Sequence, residues 1–150
     1  MSVPVRTQRW SGAHLVLALL VIGCRKGPPT DRYSEMPAVA ASALDQADEL
    51  ELVLVDGQGS GEGKRIIIRD PAVRTRLSQA LKKGVQDSHG WSKGCFHPRL
   101  YMLNATRAGK ITKFRISFEC WQVHMSDPDL DFSTSDSPQA AFDAVLNTNP

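Results

Sequence analysis

The chain reads as an α+β protein: a small antiparallel sheet in the order ββαββα, with helices packed on one face and one disulfide. Two observations predict this class. Alternating apolar runs occur in two pairs, at 49–68 and at 99–123. Each pair is followed by a Pro-initiated stretch with apolar residues at helical spacing. Alternation at period two and recurrence every three or four residues are the signatures of half-buried strands and amphipathic helices.

"ELELVLVD" (49–56) sets Leu50, Leu52 and Leu54 on one side of a strand. "RIIIRD" (65–70) is β-branched, so the two runs predict a hairpin across the glycine-rich "GQGSGEGK" (57–64). That loop is not a phosphate-binding loop: Gln58 sits where the first glycine is needed, and Arg65 where Ser or Thr must follow Lys64. Asp70-Pro71 is an N-cap with proline at the first helical position. Val73, Leu77, Ala80 and Leu81 then recur at helical spacing, and Gly84 is the expected terminator. "RLYMLNA" (99–105) and "KITKFRISFECWQV" (110–123) predict a second hairpin, the latter as one long strand. On it Phe114, Ile116, Phe118 and Cys120 share one face, while Lys113, Arg115, Ser117 and Glu119 share the other. "MSDPDLDFSTSD" (125–136) is expected to be a solvated acidic loop. It fails as a calcium loop, with Phe132 at the glycine position and Pro138 at the glutamate position. Ser137-Pro138 opens a last helix carrying Phe142, Val145 and Leu146.

The N-terminus sets the expected location. Arg6 and Arg9 precede an apolar run too short to span a bilayer comfortably, which ends in "VIGC" (21–24). Val21, Gly23 and Cys24 resemble the lipobox of bacterial lipoproteins. The resemblance implies a signal peptide over 1–23, lipid attachment at Cys24 and residence in the cell envelope on a membrane. Arg25, in place of an aspartate, resembles the pattern for outer-membrane rather than inner-membrane retention. Two or more acyl chains hold a protein firmly, because each buried methylene contributes about 0.8 kcal/mol. Residues 24–47, with three prolines and many small residues, are expected to be a lipid-anchored, semi-extended or disordered tether. One domain, 48–147, follows.

The chain has 18 basic and 16 acidic residues, and loss of Arg6 and Arg9 leaves 16 of each. A neutral chain has no general attraction for nucleic acid. The charge is unevenly placed. Between Glu62 and Glu119 lie 13 Lys or Arg against four acids, whereas 45–56 and 127–143 are acidic. Either the acidic flanks fold back over the basic middle, or a basic face awaits an acidic partner or anionic lipid.

Cys95, His97, Cys120 and His124 are the candidate site. If the second hairpin has the four-residue loop 106–109, Ala105 pairs with Lys110 and Cys95 lies directly opposite Cys120. A two-residue loop would make them diagonal. With Cys24 lipidated, two cysteines remain in an oxidising compartment, which favours a Cys95–Cys120 disulfide. The alternative is a Cys2His2 zinc site on all four residues, although neither C-x-H nor C-x-x-x-H is a common zinc spacing. No other metal and no cofactor is expected. A catalytic cysteine would need a positioned base, which no spacing here supplies.

The stretch 95–123 also resembles a group of small secreted or lipid-anchored bacterial proteins of unknown function. They share a C-F-x-P-R/H turn, a "GK" turn and a strand ending C-F-x-C; Cys95, Phe96, Pro98, Arg99, Gly109, Lys110, Phe118 and Cys120 match. Ser117 replaces the first cysteine of that last motif, so the resemblance implies Cys95–Cys120 as the remaining pair and brings no activity. The functional expectation is a non-enzymatic envelope lipoprotein that binds a protein or envelope component. The alternatives are an inhibitor or immunity lipoprotein acting against a wall-degrading enzyme or toxin, and the zinc-binding domain.

Overall fold

Residues 35–55, 63–95 and 99–148 are described in the computed structural model. They form α1 (Ala38–Asp45), β1 (Glu49–Val55), β2 (Arg65–Ile68), α2 (Pro71–Ser88), β3 (Leu100–Arg107), β4 (Lys110–Ser117), β5 (Gln122–Ser126), β6 (Asp129–Ser133) and α3 (Gln139–Asn147). The α+β class holds, but the order is αββαββββα. The six strands make one open antiparallel sheet, β2-β1-β3-β4-β5-β6. β2 and β3 flank β1 and therefore run parallel to each other, which requires a long crossover; α2 supplies it.

One parity of the sheet is buried: Leu50, Leu52, Tyr101, Leu103, Phe114, Ile116, Val123 and Met125. All three helices join the same cluster, through Leu44, Leu77, Leu81, Phe142, Val145 and Leu146. Tyr101, Phe118 and Phe142 stack at its centre, with ring centroids 5.0–5.9 Å apart in tilted or edge-on pairs. No described helix covers the other face of the sheet.

Three expectations about the elements are corrected. Residues 38–45 are not tether; they form α1, whose Ala40 and Leu44, four apart, are buried on the core. "AVAASALD" has high helix propensity but little apolar contrast, since alanine is small on every side. Its Asp45 is fastened to α2 by Ser78 Oγ at 2.7 Å and Lys82 Nζ at 2.6 Å. The rest of the expected tether, 24–34, lies outside the described residues.

Secondly, α2 does not stop at Gly84. It runs to Ser88, with His89 (φ 49°) and Gly90 (φ 78°) in the left-handed region ending it. Gly84 has a packing role instead. A Cβ there would overlap Pro138 Cγ and lie 2.6 Å from Thr134 Oγ1, while its carbonyl accepts from Ser135 N at 2.8 Å. The expected cap at the other end is present, Asp70 accepting from Ala72 N (2.8 Å) and Val73 N (3.3 Å).

Thirdly, the long strand at 110–123 and the acidic loop after it are three strands. β4 ends at Ser117, residues 118–121 turn, and Trp121 has φ 58°. Alternation continued through this turn because Phe118 and Cys120 are buried within it, so the pattern could not separate turn from strand. β6 then folds back on β5, with Leu130 and Phe132 packed against the core and Asp129 and Asp131 on the uncovered face.

Candidate functional site

Cys24 and the whole lipobox lie outside the described residues, as does His97. No described helix is long and apolar enough to cross a membrane.

Cys95 and Cys120 form a disulfide, with Cα atoms 5.6 Å apart. The route to it differs from the expected cross-strand pair. The hairpin turn is two residues, Ala108 (φ 47°) and Gly109 (φ 80°), so Arg107 pairs with Lys110. Two successive positive φ angles match the twist of the flanking strands. The register is displaced by two from the expected one, which leaves every side chain on its assigned face. Neither cysteine belongs to a strand. Cys95 precedes β3, and Cys120 closes the turn after β4, where Ser117 Oγ accepts from Cys120 N at 3.2 Å. The segment before β3 lies back against that turn: Lys93 N donates to Cys120 O (2.8 Å), and Lys93 Nζ stands 3.8 Å over the Trp121 ring. Cys120 is 3% exposed, whereas Cys95 is at the surface.

Both sulfurs of the Cys2His2 alternative are thus bonded to each other. His124, its described histidine, is on β5 on the uncovered sheet face. Its Nδ1 is 2.9 Å from Asp131 Oδ1 and 3.6 Å from Asp129 Oδ1. Among the described residues no group of three or more His, Cys, Asp or Glu is placed to hold a metal.

Five cations of the basic middle pair with carboxylates of the acidic flanks: Lys82–Asp45, Arg69–Glu49, Arg65–Glu51, Lys110–Asp127 and Arg99–Asp143. Folding the flanks over the middle therefore accounts for much of the uneven charge. Lys82, first, and Ser78 hold the Asp45 carboxyl below its ordinary value by hydrogen bonding. Lys83 and Ser137 do the same for Asp87. Tyr101 is pushed up to about 12, first by burial and then by its hydrogen bond to Asp143, which accepts at 2.7 Å. That hydroxyl is directed into the packing of β3 against α3.

What the sequence did not single out is the uncovered face. Register places Arg65, Val53, Met102, Arg115, His124 and Asp131 in one row across all six strands. A neighbouring row runs Ile67, Glu51, Asn104, Lys113. Ile67 and Ile111 are each 50% exposed on this face. Asn104 Nδ2 donates to Glu51 at 2.6 Å, and Asn104 Oδ1 is buried without a partner among the described residues. Around Arg115 lies a shallow depression of about 400 Å³ lined also by Leu100, Ser117, Gln122, His124 and Asp131. The alternation of β4 does put Lys113 and Arg115 together, but only strand order shows what stands beside them.

No family, curated protein or solved structure matches this chain.

Proposed function

We propose that this chain is a lipid-anchored protein of the bacterial envelope whose α+β domain binds a protein or envelope component, and that it is not an enzyme. The observation that carries the reading is the uncovered face of the six-stranded sheet. It mixes exposed apolar side chains, Ile67 and Ile111, with charged ones on a rigid scaffold, as binding surfaces do. The lipobox residues Val21, Gly23 and Cys24 support the anchor, and Arg25 supports the outer membrane over the inner. Tyr101, whose pKa is strongly raised, is enclosed between β3 and α3 rather than facing a cleft, which favours packing over catalysis as the cause.

Replacing Cys24→Ala tests the anchor by fractionation. The expected result is an unprocessed or soluble form; continued processing with membrane retention refutes it. A photo-crosslinking residue at Ile111 tests the face. It should capture a discrete envelope partner that the same residue at Gln79, exposed on α2, does not. Equal capture from both positions, or from neither, refutes the assignment of the face.

An inhibitor or immunity role against a wall-degrading enzyme or toxin is the second reading. Its supporting observation is Lys113 and Arg115, exposed cations on that face, which suit an acidic partner.

A further inference from the structure

The uncovered face holds charges of opposite sign apart, Lys113 and Arg115 on β4 and Asp129 and Asp131 on β6. Each of its four described carboxylates has a contact: Glu49 has Arg69, Glu51 has Arg65 and Asn104, and Asp129 and Asp131 share the one imidazole of His124, a cation only when protonated. Its β4 cations do not. Lys113 and Arg115 are exposed and make no ion pair among the described residues. Two residues apart on one strand, they stand side by side about 7 Å apart. Arg115 borders the depression, where Leu100 offers an apolar wall and Gln122 amide donors, while Asp131 lines it from beyond His124 and keeps an incoming carboxylate to the Arg115 side. Ser117 Oγ there accepts from Cys120 N, which leaves its own proton to donate.

We propose that Lys113 and Arg115 receive two alternate carboxylates of an extended acidic segment on a protein partner, with the Arg115 guanidinium taking one of them at the depression. Side chains two residues apart in an extended peptide project to the same side at the same spacing of about 7 Å, so both cations are reached at once. A guanidinium binds a carboxylate through two parallel hydrogen bonds, which adds orientation to the charge attraction. The inference rests on the reading of this face as the binding surface and names the chemistry of what it binds.

The test uses the full chain, purified in detergent and labelled for amide NMR. One capped hexapeptide, Thr-Glu-Thr-Glu-Thr-Thr, carries alternate carboxylates; its isomer Thr-Glu-Glu-Thr-Thr-Thr points them to opposite sides. The alternate peptide should shift the amides of 113–117 and 122–124 and bind at least about threefold tighter than the isomer. Arg115→Glu should weaken it about tenfold, a change of about 1.4 kcal/mol. Arg76→Glu, on the outer side of α2, should leave it unchanged. Lys113→Gln, milder than a charge reversal, should weaken it about threefold if Arg115→Glu disturbs the fold. Equal affinity for the two isomers, displacement of both by inorganic phosphate at equal concentration, or indifference to both β4 substitutions overturns the proposal. Crosslinking from Ile111 to a partner, with no response to either peptide, overturns the cation pair and leaves the binding face standing. Peptide binding at β4, with no partner crosslinked, does the reverse.

Discussion

Gly84→Ala sets two effects of opposite sign against each other. Gly84 lies inside α2, four residues before its end, and an alanine in a helix interior is favoured over glycine by about 1 kcal/mol. On that ground alone the variant gains stability. The packing says otherwise. The new methyl would overlap Pro138 Cγ and lie 2.6 Å from Thr134 Oγ1 and 2.8 Å from Pro138 Cδ, all well inside van der Waals contact. These atoms cannot swing aside as a long side chain would. Pro138 is a ring at the start of α3, and Thr134 is fully buried. The segment between them is tied down by Ser135 N to Gly84 O (2.8 Å) and Ser137 Oγ to Asp87 (3.0 Å). Relief requires α2 and the 134–138 segment to separate by about 1 Å, and overpacking of this kind costs about 1–3 kcal/mol. The propensity gain cancels the lower end of that range and offsets a third of the upper end, so a net loss of up to about 2 kcal/mol is expected. Urea unfolding followed by tryptophan fluorescence measures it, with an unchanged slope showing that the unfolded state is not involved. Adding Pro138→Ala should recover part of the loss, because neighbours sharing one contact are non-additive. A stabilised Gly84→Ala protein, or strictly additive single variants, would refute the close approach of α2 to residues 134–138.

Three further outcomes follow from named contacts. The bridge closes a loop holding the whole β3–β4 hairpin, with a sequence separation of 25, and chain entropy assigns it about 3.5 kcal/mol. Cys95→Ala/Cys120→Ala should lower stability by that order in urea, and a loss below about 1 kcal/mol would show that the bridge does not restrain the unfolded chain. Asp45→Asn removes a carboxyl whose folded pKa is depressed below 3.8, so its contribution is present above that value and lost as pH falls through the folded one. The stability gap between parent and variant, modest because both partners are part-exposed, should therefore close on acidification; a gap that widens contradicts the Lys82 contact. Tyr101 has the opposite sign: raised from 10.0 to about 12, it stabilises the fold below pH 10 and loses that contribution as pH climbs towards 12. Tyr101→Phe should cost about 1 kcal/mol at neutral pH and flatten the alkaline fall in stability, which circular dichroism would follow; an unaltered alkaline profile would exclude the buried hydroxyl.

Much of the fold was legible because burial leaves a periodic mark. Leu50 and Leu52, Phe114 and Ile116, and Phe142 with Val145 and Leu146 were each assigned to their faces correctly. The elements that were not legible lack such a mark or share it with something else. α1 is built of alanines, which give no amphipathic contrast. Phe118 and Cys120 alternate like a strand while buried in a turn. β6 does alternate, as Asp129-Leu130-Asp131-Phe132, but its aspartates and the adjacent proline read as a loop.

The bridge shows how a right pairing can rest on a wrong register. Composition and the expected compartment leave few partners for a thiol, so Cys95 and Cys120 were nameable from the chain alone. The Ala108-Gly109 turn, adopting two positive φ angles, shifted the register by two and took the cross-strand argument away; the turn after β4 restored the proximity by another route.

Local chemistry is encoded locally, which is why the sequence by itself determined the helix start at Asp70, the amphipathic faces, the paired cysteines and the lipobox likeness. Three outcomes depend on chain segments distant in sequence. They are the order β2-β1-β3-β4-β5-β6, the packing demand at Gly84, and the uncovered row that sets Arg115 beside His124 and Met102. Neighbours across a sheet are selected by pairing and packing over the whole domain, and only the tertiary structure decided which carboxylates would meet which cations and leave Lys113 and Arg115 without an ion pair among the described residues.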